Sequence, residues 1–188
     1  MTDFKIFDQN NAPEKSRGFL EKSIKGFGMI PNLHGVMAAA PGLLEGYQKL
    51  HQLAGETSFS KEELTVVWQT INVEHACHYC VPAHTAIAHS MKIEPAITEA
   101  LRNETPLPTE KLEALRNFTL DLARSRGTVT NEATYQFLKA GFDQQNILEI
   151  VLILAQKVMS NYTNHLAETP IDEPFQSFSW KAKSPAQT

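Results

Sequence analysis

Apolar residues recur along this chain at the three-and-four spacing of a helix, and nowhere do they alternate as a strand requires. Leu43, Leu44, Tyr47, Leu50 and Leu53 form one such stripe after Pro41, and Leu64, Val67, Trp68 and Ile71 form another. Ser60 followed by Glu63 places a capping box in front of the second stripe. Thr109 opens a further helix, with Leu112, Leu115, Phe118, Thr119 and Leu122 on one face and an end near Gly127. Thr130 caps a helix carrying Ala133, Phe137 and Leu138, which Gly141 stops. Asp143 or Gln144 begins the most apolar helix, from Ile147 to about Tyr162. Shorter helices are expected from Pro13 or Glu14 to Phe27, from Leu33 to Ala39 and from Ala96 to Arg102. Together these segments predict an all-α fold of about seven to nine helices. The chain reads as a single domain over 1–188, with 1–12 as an arm and 169–188 as a tail.

A chain of 188 residues, 42% hydrophobic and 20% charged, can bury a core without disulfide staples. A formal charge of −4 and the lack of any Lys/Arg cluster argue against a general affinity for nucleic acid. The N-terminal run Met-Thr-Asp-Phe-Lys-Ile-Phe-Asp has neither the basic start nor the apolar core of a signal peptide. The longest apolar run, Ile147 to Ala155, is broken by Glu149 and falls short of the roughly 20 residues a membrane span needs. The expected setting is cytoplasmic, with no membrane. Phe175, Phe178 and Trp180 in the tail are expected to pack on their own domain or on a neighbouring subunit.

Cys77 and Cys80 are the only two cysteines, within the run Glu74-His75-Ala76-Cys77-His78-Tyr79-Cys80-Val81-Pro82-Ala83-His84. Pro82 is tolerated in the first turn of a helix and not in its interior, so a helix begins close to the two thiols. At helical spacing Cys77, Cys80 and His84 share one face. A thiol of pKa about 8.5 is only a few per cent ionised at neutral pH. The positive end of a helix and a nearby imidazole both favour its thiolate. Oxidation of one thiol to a sulfenic acid, then attack by its neighbour, yields a disulfide that a reductant can reopen. A reducing cytosol suits such a cycling pair better than a permanent bridge. Two other arrangements fit the same residues: half of a zinc site completed by His75, His78 or His84, and a pair of inert buried thiols. As candidates for catalysis, His34, His51, His75, His89 and His165 read as surface or core residues.

The Cys-His-Tyr-Cys-Val-Pro-Ala-His run after an amphipathic helix resembles the carboxymuconolactone decarboxylase superfamily, within it the alkyl hydroperoxidase D-like, peroxidase-related branch. Ile30-Pro31-Asn32-Leu33, Ala140-Gly141-Phe142 and Asn161-Tyr162-Thr163-Asn164-His165 add to the resemblance, which covers nearly the whole chain. It implies a helical subunit that forms a dimer, trimer or hexamer. It also implies a peroxide substrate, a dithiol or lipoyl-type protein as reductant, and no cofactor or metal beyond the thiol pair. On this likeness Cys77 and Cys80 are the redox pair and His84 the proton-relay histidine, with His78 a weaker candidate. Family members commonly carry a glutamate twelve positions before the first cysteine, where this chain has Thr65. Glu74 is assigned the relay in its place, with Glu63 as the alternative. Decarboxylation of a muconolactone, suggested by the superfamily name alone, and a non-enzymatic redox sensor are the competing functions. Asn161 and Asn164 repeat the spacing of Cys77 and Cys80, at the place a duplicated second half would put them.

Overall fold

The computed structural model describes residues 3–183. In chain order the helices are α1 (Glu14–Phe27), α2 (Asn32–Met37), α3 (Pro41–Gly55), α4 (Lys61–Glu74) and α5 (Cys80–Ser90). They continue as α6 (Pro95–Asn103), α7 (Glu110–Arg124), α8 (Asn131–Lys139) and α9 (Gln144–Ala167), followed by a 3-10 helix at Glu173–Phe178. Among the described residues there is no strand, so the all-α expectation holds.

The caps act where the sequence places them. Ser60 and Glu63 close a reciprocal capping box at the start of α4. Thr109 Oγ1 accepts the Leu112 N–H, and Thr130 Oγ1 accepts the Ala133 N–H. Asp143 caps α9, and Glu168 ends it in the left-handed conformation. Helix α1 is a full element although its apolar spacing is irregular in the sequence. Two of its three buried residues are serines, Ser16 and Ser23, beside Leu20. Ser16 Oγ donates to the Ala38 carbonyl at 2.7 Å, and Ser23 Oγ lies 2.8 Å from His34 Nδ1.

Two apolar clusters form the core. One joins α4, α6, α7, α8 and the first half of α9, with Phe137 stacked between Phe118 and Phe142. The other joins α1, α2, α3 and the start of α5, and includes both cysteines. Helix α9 spans both, packing on α2, α3, α4 and α5.

The arm and tail, seen over 3–12 and 169–183, lie against this body; their outer residues fall outside those described. The Phe7 N–H donates to the Gly35 carbonyl at 3.1 Å. A Cβ on Gly35 would stand 2.6 Å from Ile6 and 2.9 Å from the Phe7 carbonyl oxygen, so only glycine lets the arm approach α2. In the tail, Arg102 donates to the carbonyls of Phe178 and Ser179, and Trp180 Nε1 donates back to Arg102 O at 3.0 Å. The tail aromatics pack on their own domain.

Candidate active site

Helix α4 ends at Glu74, and the chain turns through His75 and Ala76, whose φ of 50° is left-handed. Cys77 lies beyond that turn, its N–H donating to Asn72 O at 3.0 Å. Its Sγ accepts the Cys80 N–H at 3.2 Å, one of the donors a helix start leaves without an internal partner. Cys80 opens α5, and Pro82 sits in its first turn as the sequence requires. Both thiols are free and buried.

Helix α9 faces them with an uninterrupted polar edge: Gln156, Lys157, Ser160, Asn161 and Asn164 are all fully buried. Asn164 Nδ2 donates to Cys80 Sγ at 3.2 Å and lies 4.0 Å from Cys77 Sγ. Lys157 Nζ lies 2.8 Å from His84 Nε2, which leaves His84 Nδ1 without a protein partner. Behind the thiols, Asn161 Nδ2 donates to Asn72 Oδ1, Asn72 Nδ2 to Gln69 Oε1, and Gln69 Nε2 to Val81 O and Thr85 Oγ1. This chain of amides fixes the first turn of α5 against α4 and α9.

A cavity of about 250 Å³ opens beside Cys80, His84 and Lys157; Cys77 is not among its lining residues. Its walls are mainly apolar and aromatic, with Phe27, Tyr47, Tyr79 and Phe175 among them, and no carboxylate lines it. Phe175 comes from the tail, which Tyr79 and Asp172 tie to the thiol turn through a hydroxyl–carboxylate bond. Burial raises the Asp172 carboxyl.

Burial, opposed by several favourable contacts, decides the ionisation of the site. Burial alone would raise the Cys80 thiol, but the Cys77 S–H, the Lys157 charge and the Asn164 and Asn161 amides outweigh it and lower the pKa to about 6. Cys77 moves the opposite way: its bond to Cys80 and its burial hold it as the thiol. Burial, and after it the repulsion between each imidazolium and its basic neighbour, lowers His34 beside His51 to about 3, His51 beside Lys157 to about 4, and His84 beside Lys157 and His51 well below the usual imidazole value. Burial also lowers Lys157, against the pull of the two cysteines.

Of the residues singled out from sequence, the structure brings Cys77, Cys80 and His84 together. It does not bring Glu74 to them. Both Glu74 oxygens accept from Arg124, at 2.8 and 2.7 Å, and Glu74 does not line the cavity. The reason is the turn at Ala76, which breaks the helical register that would have set Glu74 beside Cys77. Glu63 is held by Ser60 and by Lys111 at 2.7 Å, and Thr65 Oγ1 donates to its own helix at Lys61 O. His78 Nε2 lies 3.0 Å from Thr169 O, outside the cavity lining, and His75 Nδ1 lies 2.9 Å from Asn161 Oδ1. Those two histidines are thus turned to other partners, and among the described residues no three His, Cys, Asp or Glu side chains are grouped to hold a metal.

Lys157 is the candidate site residue that the motif does not announce. Its signal lies in the register: Ile150, Ile153, Lys157, Ser160 and Asn164 follow one another at helical spacing, so the lysine falls on the buried line. His34 and His51, read as ordinary surface or core histidines, line the cavity. Of Asn161 and Asn164, which echo the cysteine spacing, Asn164 donates to Cys80 itself and Asn161 holds Asn72 behind the thiols.

No family model matches the sequence, and no curated protein matches it. Solved structures do. An uncharacterized peroxidase-related protein of Ralstonia eutropha JMP134, described as an alkylhydroperoxidase AhpD core, superposes with a TM-score of 0.79 at 17% identity, over 93% of this chain and 96% of that one. A peroxidase-related protein of Silicibacter sp. TM1040 gives 0.76 at 18% identity, over 93% and 95%. The debrominase Bmp8 gives 0.77 at 16% identity, over 94% and 96%. A cysteine-to-alanine variant of Bmp8 has also been solved in complex with 2,3,4-tribromopyrrole. The fold is therefore of the AhpD type, as the motif led us to expect.

Proposed function

We propose that the protein is a thiol-dependent peroxidase, a disulfide oxidoreductase in which Cys80 attacks the peroxide and Cys77 resolves the product. The observation that carries this reading is the asymmetry of the pair. Cys80 lines the cavity with its Sγ held by Asn164 at 3.2 Å, while Cys77 sits behind it as a thiol. The Cys80 thiolate attacks one peroxide oxygen, an S–O bond forms, the O–O bond breaks and an alcohol leaves. The Cys77 sulfur then displaces hydroxide from the sulfenic acid, giving the disulfide and water. A dithiol, small or lipoyl-type on a protein, returns the two electrons. A cycling pair of this kind fits a reducing, cytoplasmic compartment; no helix in the described residues is long and apolar enough to cross a membrane.

The test is peroxide consumption coupled to a dithiol. Turnover is expected from the wild type and from neither Cys80→Ser nor Cys77→Ser; turnover undiminished in both variants would refute the reading.

The aromatic, mainly apolar cavity supports a second reading, reductive dehalogenation of a small aromatic ring, in line with the fold shared with Bmp8. There the carbon–halogen bond is replaced by carbon–hydrogen, halide leaves, and the same two thiols become the disulfide. Bromide release from a bromopyrrole, dependent on Cys80, would favour it over peroxide reduction.

A second copy of the chain is the partner proposed for the outer face of α9. Leu148, Val151, Tyr162 and Leu166 are exposed there, with Ala155 between them. Leu148 and Tyr162 are equally spaced about Ala155, so an antiparallel two-fold pairing sets each against the other's counterpart. A Leu148→Glu, Leu166→Glu double variant is expected to be smaller in light scattering than the wild type.

A further inference from the structure

We propose that Lys157 is a catalytic residue of the thiol pair: its buried ammonium holds Cys80 as the thiolate in the reduced protein, and it gives up its proton as Cys80 is oxidised on the way to the Cys77–Cys80 disulfide. This rests on reading Cys77 and Cys80 as a cycling pair.

Lys157 is wholly buried, and an ammonium without a counter-ion is strongly disfavoured in such a place, so it must find an anion or lose its proton. The helices packed on α9 present few titratable groups to it. They are His34 from α2, Tyr47 and His51 from α3, Cys80 and His84 from α5, and Cys77 in the turn before it, which is held as the thiol, while α4 offers the neutral Trp68, Gln69 and Asn72. The three histidines are kept neutral by burial. The carboxylate of the tail, Asp172, is taken up by Tyr79 and by the Asn32 N–H. Glu63 and Glu74 are bound to Lys111 and Arg124. Among the described residues, then, the Cys80 thiolate is the anion available to Lys157, and each stabilises the other's charged form.

Oxidation removes that anion. When the O–O bond breaks, the departing alkoxide takes a proton from the Lys157–His84 pair, whose nitrogens lie 2.8 Å apart. Hydroxide displaced from the sulfenic acid takes the Cys77 proton and leaves as water. The products are alcohol, water, a neutral disulfide and a neutral Lys157 amine, so charge and protons balance. Reduction by a dithiol returns two protons, one to Cys77 and one to Lys157. The carboxylate that Thr65 cannot supply is thereby replaced by a proton carrier of another kind on a different helix.

Two measurements on the whole protein test this, and neither needs peroxide. The first is the pH dependence of Cys80 alkylation in the reduced protein. The wild-type midpoint is expected near pH 6, and in Lys157→Met it is expected to rise by at least about one unit, toward the value of about 8.5 of an ordinary thiol. An unmoved midpoint would overturn the proposal. The second is the equilibrium for reduction of the wild-type disulfide by dithiothreitol between about pH 6.5 and 8, where the reagent's thiols stay protonated. If Lys157 recovers a proton on reduction, the constant does not vary with pH. If Lys157 stays charged in the disulfide form, it rises about tenfold per unit, and the proposal fails. This arm stands even if Lys157→Met does not fold. A protein that shows both behaviours yet consumes no peroxide would sink the peroxidase reading and leave the Lys157 proposal intact.

Discussion

The buried residues of the two halves of α9 are equally inaccessible and opposite in character. Ile150 and Ile153 enter the apolar cluster around Phe137, whereas Gln156, Lys157, Ser160, Asn161 and Asn164 form the polar edge that faces the thiol turn, and all seven are inaccessible. One helix thus carries a packing surface and a chemical surface in sequence along one face. The first half contributes apolar area, worth about 25 cal/mol per Å² removed from water. The second half contributes oriented donors and one charge, which set ionisation more than stability. Burial alone does not distinguish a structural residue from a functional one here; the polarity of what is buried does.

The contrast can be broken or sharpened by substitution, beginning at the reacting atom. Cys80→Ser is expected to lower peroxide turnover at least about a thousandfold, since a neutral hydroxyl replaces the thiolate, while the thermal transition stays close to that of the wild type. Lys157→Met and Ile153→Ala then compare the two halves directly. Lys157→Met is expected to lower the rate at pH 7 about tenfold or more, with a smaller loss of stability than Ile153→Ala, because a desolvated charge is removed and the Cys80 it leaves behind can take a proton and become neutral. Ile153→Ala is expected to keep the rate and lose about 2–4 kcal/mol of stability, read by denaturant unfolding, from the cavity it leaves. If Lys157→Met proved the destabilising change and Ile153→Ala the inactivating one, the division of α9 would be wrong.

Asn164→Ala comes next. Loss of its amide bond to Cys80 is expected to shift the acid limb of the pH–rate profile upward and to reduce the rate a few-fold at pH 6.5. The sign follows from the thiolate being the reactive form: its pKa is lowered to about 6, so activity is retained above that value and falls about tenfold per unit below it. Removing a stabilising donor moves this limb toward neutrality. Glu74→Gln is the smallest change. Its partner Arg124 is exposed, so the pair is worth at most about 1 kcal/mol, and peroxide turnover is expected to remain that of the wild type.

Much of this arrangement was legible in the sequence. Ser60, Thr109, Thr130 and Asp143 are caps that act locally, and the apolar stripe of α7 reports which face is buried without any tertiary knowledge, whereas α4, whose stripe marks one face, is buried on every side from Leu64 to Asn72. Cys77, Cys80 and His84 were legible for the same reason, as a short-range helical pattern. Glu74 was misplaced because one residue, Ala76, adopts a left-handed conformation that its side chain does not announce. Lys157, by contrast, meets Cys80 and His84 only through packing of helices distant in sequence. Serines on the buried face of α1 hid that helix's amphipathicity in a similar way, since each is satisfied by a partner from outside its own turn or by its own backbone.

The central claim is that Cys77 and Cys80 exchange two electrons with a peroxide, and the most direct measurement is the mass of the reduced protein after one equivalent. The account predicts a loss of two hydrogens per chain and a single cross-linked peptide joining Cys77 to Cys80, reversed by a dithiol. Thiols left unmodified, or Cys80 carried to an acid that a dithiol does not restore, would contradict it.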